Sequence, residues 1–77
     1  MKSKLILSVN LKQYREKNRL SQEELAARAE LSTRGYGKIE RGEVHSSLET
    51  LDKLARATGM SQARLLSDEQ DPERISC

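Results

Sequence analysis

The chain has 77 residues, with 14 Lys or Arg, 12 Asp or Glu and a formal net charge of +2. This length allows one domain with a small core, and without Phe or Trp that core must be aliphatic apart from the two tyrosines. A single Cys and a single His exclude an internal disulfide framework and a zinc site. We therefore expect a cytoplasmic protein in a reducing compartment, without a metal or other cofactor.

The charges are unevenly distributed along the chain. Residues 1–64 hold thirteen Lys or Arg against eight Asp or Glu, whereas residues 65–77 hold one Arg against four acidic residues. A basic body favours a polyanionic partner such as nucleic acid. Residues 68–77 are polar and contain Pro72, so we predict a folded domain over residues 1–67 and a disordered tail over residues 68–77.

The first predicted helix spans residues 8–18 and follows a frayed arm of residues 1–4. Leu7, Leu11 and Tyr14 recur at helical spacing and give it an apolar face. The apolar run at its start is too short for a signal sequence or a membrane span, so we expect no membrane association. Asn18 is predicted to end the helix in the left-handed conformation.

Two short helices follow, over residues 21–29 and 32–41. Ser21 and Glu24 have the spacing of a capping box, in which each side chain bonds the other residue's backbone N–H. Ser32 is predicted to cap the second helix, and Gly42 is placed to end it. Two helices joined by a tight turn are typical of a helix-turn-helix, although a helical hairpin that only packs has the same local features.

Helices 4 and 5 are predicted after a polar loop. Ser47 is expected to cap helix 4, Gly59 to end it and Ser61 to cap a short helix 5. Met60 is predicted to tie the connecting loop to the core. The apolar face of helix 4 is predicted to contain Leu48, Leu51, Leu54, Ala55 and Thr58.

Three stretches, LSQEELA, IERG and SLETLDKLARATGMS, closely resemble the Cro/repressor-type (XRE) helix-turn-helix family over residues 7–66. The resemblance implies an all-α, five-helix, lambda-repressor-like DNA-binding domain with its helix-turn-helix at helices 2 and 3. It also implies a sequence-specific transcriptional regulator, without enzymatic activity, that binds a palindromic operator in double-stranded DNA as a homodimer. Arg19 and Glu30 stand where the family usually has Gly, and Glu43 departs from its usually basic loop.

The residues expected to contact DNA lie on and around helix 3. If Tyr36 and Ile39 point inward, then Thr33, Arg34 and Lys38 point outward and can reach base edges, although an ordinary solvated face would also carry such residues. Arg34 is the best candidate for paired hydrogen bonds to guanine. The resemblance places contacts to the DNA backbone at Gln22, Ser32, Arg41, His45 and Ser46.

The resemblance also implies two structural features. Arg15 and Glu40 match a family pair that forms a partly buried ion pair between helices 1 and 3. Residues of helix 5 often pack across the dimer axis of this family, so Met60, Leu65 and Leu66 are the predicted dimer interface. The alternative for the two leucines is that they close the core of one copy.

The biological context stays open at the level of sequence. A phage Cro-like regulator or repressor and a restriction–modification controller fit equally well. In a rival interpretation the chain is an antitoxin whose residues 67–77 fold onto a toxin protein while the domain binds DNA. An enzyme is disfavoured because the one His and the one Cys lie far apart and suggest no catalytic arrangement.

Overall fold

The computed structural model describes residues 3–67, which form five helices and no strand. The helices are α1 (Ser3–Lys17), α2 (Gln22–Arg28), α3 (Thr33–Glu40), α4 (Leu48–Thr58) and α5 (Gln62–Leu65). The prediction of an all-α, five-helix fold is confirmed. No helix in this part of the chain is long and apolar enough to cross a membrane.

A serine caps the start of each of the last four helices, as the sequence predicts. In α2, Ser21 Oγ accepts the N–H of Glu24 at 3.0 Å, and the Ser21 N–H donates to Glu24 Oε1 at 2.9 Å. This completes the capping box and lowers the pKa of Glu24, because the backbone N–H of Ser21 bonds the carboxylate. The other three caps, which accept a backbone N–H in the same way, are Ser32, Ser47 and Ser61.

The left-handed residues that end these helices include two that are not glycine. Gly42 and Gly59 have φ angles of 74° and 73°, as expected, but Arg19 and Glu30 also have positive φ angles of 55° and 58°. The prediction that Asn18 takes this conformation is wrong. Asn18 continues α1 by donating its N–H to the Tyr14 carbonyl at 3.1 Å. Arg19 then turns the chain so that the next N–H reaches back to α1.

The core lies where α1 packs on α3 and α5, α2 packs on α3, and α4 packs on α5. Its largest fully buried side chains are Tyr36, Leu7, Leu11, Leu25, Leu54 and Leu65. Tyr14, Leu31 and Met60 pack against this core while remaining partly exposed. The tie that was expected from Met60 is therefore present. α3 is fixed along one side by both α1 and α2, which leaves its other side in solvent.

Two predictions about helix boundaries and faces are wrong. α1 already includes Ser3 and Lys4, five residues before its expected start at Ser8, because the apolar residues 5–7 continue the helix. Leu48 is 80% exposed and does not join the apolar face of α4. It is the first residue of that helix, where its side chain lies beyond the edge of the core. The predicted tail, residues 68–77, lies outside the described residues.

Candidate nucleic-acid interface

The segment from α2 to α3 has the geometry of a helix-turn-helix. Residues 29–32 connect the two helices, with Glu30 left-handed at the turn. The N–H of Leu31 donates back to the Ala26 carbonyl at 2.8 Å, which closes the end of α2. Tyr36 and Ile39 are 0% and 6% exposed, so they hold the inner side of α3 in the core.

The three predicted base-contacting residues of α3 all reach solvent. Thr33 and Arg34 are exposed in its first turn, and Lys38 is half-buried one turn further on. A hydroxyl and a guanidinium are therefore presented from the first turn of α3, the part of a recognition helix that approaches base edges, and an ammonium from its last turn. These side chains can donate hydrogen bonds to guanine and to phosphate oxygens.

An ion pair connects the C-terminal end of α3 to α1. Arg15 meets Glu40 through two hydrogen bonds, from Nε to Oε2 at 2.9 Å and from Nη2 to Oε1 at 2.8 Å. Arg15 Nη1 also donates to the carbonyl of Leu20 at 3.0 Å, which ties in the segment that leads to α2. The Glu40 side chain is only 4% exposed and that of Arg15 is 18% exposed. The contact between the paired planar groups fixes the direction of α3 relative to α1.

Two more side chains complete this cluster, and neither was predicted from the sequence. The Tyr36 hydroxyl donates to Glu40 Oε2 at 2.6 Å, and Gln22 Nε2 donates to Glu40 Oε1 at 3.2 Å. Ser8 Oγ also donates to the backbone carbonyl of Glu40. Tyr36 and Glu40 are four residues apart on one helix, a spacing that signals their contact. No such local signal links Gln22 or Ser8 to Glu40.

The cluster keeps Glu40 ionised despite its burial. Burial alone raises the pKa of Glu40, but the hydrogen bonds from Arg15, Tyr36 and Gln22 together hold this pKa below its ordinary value of 4.5. The pKa of Arg15 is raised by its hydrogen bonds to Glu40. Burial raises the pKa of the Tyr36 hydroxyl, and the bond to Glu40 raises it further. At neutral pH the cluster is therefore a carboxylate surrounded by donors.

The predicted backbone contacts lie around both ends of α3. Gln22 and Arg41 come together over Gly37, where an added Cβ would lie 2.9 Å from Arg41 Nη1 and 3.6 Å from Gln22 Oε1. Arg41 also pairs with Glu43 through its Nε. The Ser32 hydroxyl oxygen accepts the N–H of Gly35 at 3.0 Å, so it acts as a helix cap. His45 is exposed and Ser46 is half-buried in the loop after α3.

The predicted dimer residues differ in their exposure. Leu65 is 0% exposed and closes the core of one copy, which is the alternative that the sequence left open for the two leucines. Its carbonyl accepts a hydrogen bond from Asn10 at 2.6 Å, which fastens α5 to α1. Met60 is half-buried, and Leu66 is 38% exposed. Of the three, Leu66 has the most exposed apolar surface.

Within residues 3–67 no group of three or more His, Cys, Asp or Glu side chains is placed to hold a metal ion. This region holds the partly buried Arg15–Glu40 pair and, on α3, hydrogen-bond donors that reach solvent. These donors suit binding to a negatively charged surface.

Comparison with known families and proteins gives matches over most of the chain. A family model described as helix-turn-helix matches residues 11–65. The chain is 42% identical over 67 residues to the control protein C.SmaI of Serratia marcescens, a match that covers 87% of this chain and 80% of that protein. It is 39% identical over 54 residues to the control protein C.MunI of a Mycoplasma species, with 70% and 73% covered.

Comparison with solved structures also matches the chain to transcription regulators. A hypothetical transcription factor, NHTF from Neisseria, superposes with a TM-score of 0.84 at 29% identity, over 97% of this chain and 84% of that one. The clp gene regulator ClgR from Corynebacterium glutamicum superposes with a TM-score of 0.76 at 27% identity, over 86% of this chain and 70% of that one.

Proposed function

The chain belongs to the XRE-type helix-turn-helix family of DNA-binding transcription regulators, and we propose that it is a controller that binds a two-fold symmetric DNA site as a homodimer. The observation that carries this proposal is the exposed first turn of α3, with Arg34 and Thr33 projecting from a helix held rigidly on its other side. The chain acts as a regulator, not as an enzyme.

We assign base recognition to Thr33, Arg34 and Lys38. Arg34 donates paired hydrogen bonds to O6 and N7 of a guanine in the major groove. Thr33 bonds a base edge or packs on a thymine methyl group, and Lys38 reaches a base or a phosphate one turn further along α3. These roles are supported by the exposure of Thr33 and Arg34 in the first turn of α3 and by the partial exposure of Lys38 in its last turn.

Contacts to the DNA backbone are assigned to Gln22, Ser32, Arg41, His45 and Ser46. Gln22 is well placed for this role because one N–H of its amide bonds Glu40, which holds the side chain in one orientation and leaves the second N–H for a phosphate. Such contacts fix the register of the protein on the duplex and carry no sequence information themselves.

The homodimer is proposed from the size of the module. A single domain of this kind buries about 600–1,000 Å² on DNA, whereas specific interfaces generally bury about 1,000–2,500 Å². Two copies related by a two-fold axis double the contacts, with recognition helices about 34 Å apart on half-sites one helical turn apart. The control-protein relatives favour a restriction–modification controller over an antitoxin. We also propose a cytoplasmic location on the bacterial or phage nucleoid.

Selection of bound duplexes from a random library at low salt tests this function. We expect enrichment of one sequence made of two inverted half-sites, with a guanine that depends on Arg34. Arg28→Ala is the matched control for Arg34→Ala, because Arg28 is an exposed cation at the end of α2 that lies beside α4, away from the outer face of α3. Recovery of no enriched sequence from the wild-type protein would overturn the proposal.

A further inference from the structure

Gly37 lies in the interior of α3, where glycine is unfavourable. It is the fifth of the eight residues of this helix, and glycine destabilises a helix interior relative to alanine because its backbone loses more freedom on folding. Its backbone conformation does not call for glycine either, since the glycines with positive φ angles among residues 3–67 are Gly42 and Gly59. The surroundings of Gly37 therefore have to explain why this position carries no side chain.

The space over Gly37 is occupied by a charged side chain. A Cβ added at Gly37 would lie 2.9 Å from Arg41 Nη1, a distance that real Cβ contacts do not show, and 3.6 Å from Gln22 Oε1. Arg41 follows Gly37 by four residues, so its side chain can reach back along the same side of α3 and lie across the bare backbone. The guanidinium thus takes the place that a side chain at position 37 would take.

The pair of Arg41 with Glu43 does not explain this placement. Glu43 contacts the Nε atom of Arg41, whereas the atom over Gly37 is Nη1. The side chain of Arg41 is 53% exposed, so the guanidinium combines contact with α3 and access to solvent. Its position over the helix depends on the missing side chain of Gly37, because a methyl group there would overlap with Nη1.

Gln22 and Arg41 meet over Gly37 beside the proposed base-reading residue. Atoms of both side chains lie within 4 Å of the same point, and Gln22 is held there by donating Nε2–H to Glu40 Oε1 at 3.2 Å. Arg34 precedes Gly37 by three residues and lies on the same side of α3. An amide and a guanidinium that meet at one point provide several N–H donors and one positive charge, which suits the oxygens of a phosphate.

We propose that Gly37 is a positioning residue for DNA binding. Its missing side chain lets the Arg41 guanidinium lie across α3 beside Gln22, and the two side chains together bind one phosphate of the DNA backbone. A methyl group at position 37 displaces the guanidinium, because Nη1 is the end of a flexible side chain and moves more easily than the helix backbone. This inference rests on the proposed function and adds to it the reason for the empty position between Arg34 and Arg41.

A double-mutant cycle between Gly37→Ala and Arg41→Ala on the selected DNA site tests the inference. We expect Arg41→Ala to lower affinity by about tenfold, the value of one charge-assisted hydrogen bond, and to reduce the salt dependence by about one released ion. Gly37→Ala should lower affinity by about fivefold and also reduce the salt dependence, although it changes no charge. In the Arg41→Ala background, Gly37→Ala should change affinity by less than about twofold, because no guanidinium remains to be displaced.

Thermal melts and a second glycine separate positioning from folding. Gly37→Ala should keep or raise the melting temperature, because alanine favours the helix while affinity for DNA falls. Gly35→Ala is the matched control. It also removes a glycine from α3, but a Cβ at Gly35 would approach Ser32 Oγ at 2.9 Å and not Arg41. Gly35→Ala should therefore leave the effect of Arg41→Ala on affinity at its wild-type value.

The inference is supported if the effect of Gly37→Ala disappears in the Arg41→Ala background while the melting temperature is unchanged or higher. It is overturned if Gly37→Ala binds DNA as tightly as the wild type, or if its melting temperature falls together with its affinity. An equal loss with and without Arg41 would also overturn it, because Gly37 would then act through a close approach of its own backbone to DNA. If no DNA sequence is selected at all, the proposed function itself fails. If a site is selected but Arg41→Ala binds it as tightly as the wild type, only the positioning role is wrong.

Discussion

On the inner side of α3, Tyr36, Ile39 and Glu40 are at most 6% exposed, and Glu40 accepts hydrogen bonds from three different side chains. On the outer side, Thr33 and Arg34 extend into solvent from the same helix. The inner residues are constrained by their partners in α1 and α2, whereas the outer residues can change without disturbing a core contact. The inner residues of α3 therefore determine the stability of the fold, and the outer residues determine which DNA sequence the helix recognises.

Of the variants considered, Glu40→Ala is expected to lower the unfolding free energy the most. It leaves the partly buried Arg15 guanidinium without its carboxylate, and because removal of one partner of a fully buried pair costs about 3–5 kcal/mol, we expect a loss of about 3 kcal/mol of unfolding free energy. Chemical denaturation of the variant and of Glu16→Ala, an exposed acidic residue of α1, measures the difference. A melting temperature equal to that of the wild type would show that the pair contributes nothing to the fold.

The same pair makes stability depend on pH in a defined direction. Because the pKa of Glu40 is lowered in the folded state, its contribution is fully present above its ordinary value of 4.5 and is lost as the pH falls through the lower folded value. The stability difference between the wild type and Glu40→Gln should therefore be constant above pH 4.5 and shrink below it. A difference that grows on acidification would contradict the assigned charge state.

Arg34→Ala should act on the outer side alone. We expect it to lower affinity for the selected DNA site by about 1–3 kcal/mol, the value of one paired contact to a base, while the unfolding free energy stays within about 0.5 kcal/mol of the wild type. Anisotropy titrations and thermal melts of this variant, beside Arg28→Ala, give both numbers. A large fall in stability would mean that Arg34 has a structural role.

Tyr36→Phe should cause a smaller loss of stability on the inner side of α3. The change keeps the buried ring and removes only the hydroxyl that donates to Glu40, so we expect a loss of about 1.5 kcal/mol in stability. The preference among DNA sequences should not change. Tyr14→Phe is the control, because Tyr14 is half-buried and lines an open groove on α1. Equal stability losses in the two variants would argue against a special contact at Tyr36.

Glu43→Gln should have the smallest effect of these variants, and it should increase the affinity for DNA. Arg41 and Glu43 pair with about half of each side chain exposed, so the pair contributes little to stability. Its carboxylate competes with DNA phosphates for Arg41. The neutral variant should bind every duplex about threefold more tightly, with a salt dependence steeper by about one released ion. Unchanged affinity and salt dependence would indicate that Arg41 does not reach the DNA backbone.

The sequence predicted the parts of this fold that depend on local chemistry. Ser21 and Glu24 lie three residues apart and cap α2 as expected, and Gly42 and Gly59 end their helices. The wrong prediction at the end of α1 has a physical reason. Arg19 takes the left-handed conformation, rather than Asn18, because the hydrogen bonds at the end of α1 fix the position of the turn regardless of the residue there.

Longer-range features were only partly predictable. Helical periodicity predicted that Leu48 lies on the apolar face of α4. Periodicity cannot show where the core ends, and the first residue of α4 lies beyond the edge of the core. The contact of Arg15 with Glu40 was predicted from the family resemblance. The contact of Gln22 with Glu40 joins residues 18 positions apart, and no local pattern in the sequence indicates it. The assignment of Arg34 to base recognition remains a prediction.

The most direct test of the separation between the two sides of α3 is the affinity of Arg34→Ala for every single-base-pair variant of the selected DNA site. We predict that its discrimination disappears at one or two base pairs in each half-site and persists at all others. An equal loss of affinity on every sequence, with discrimination intact at each position, would contradict the assignment of base recognition to the outer side of this helix.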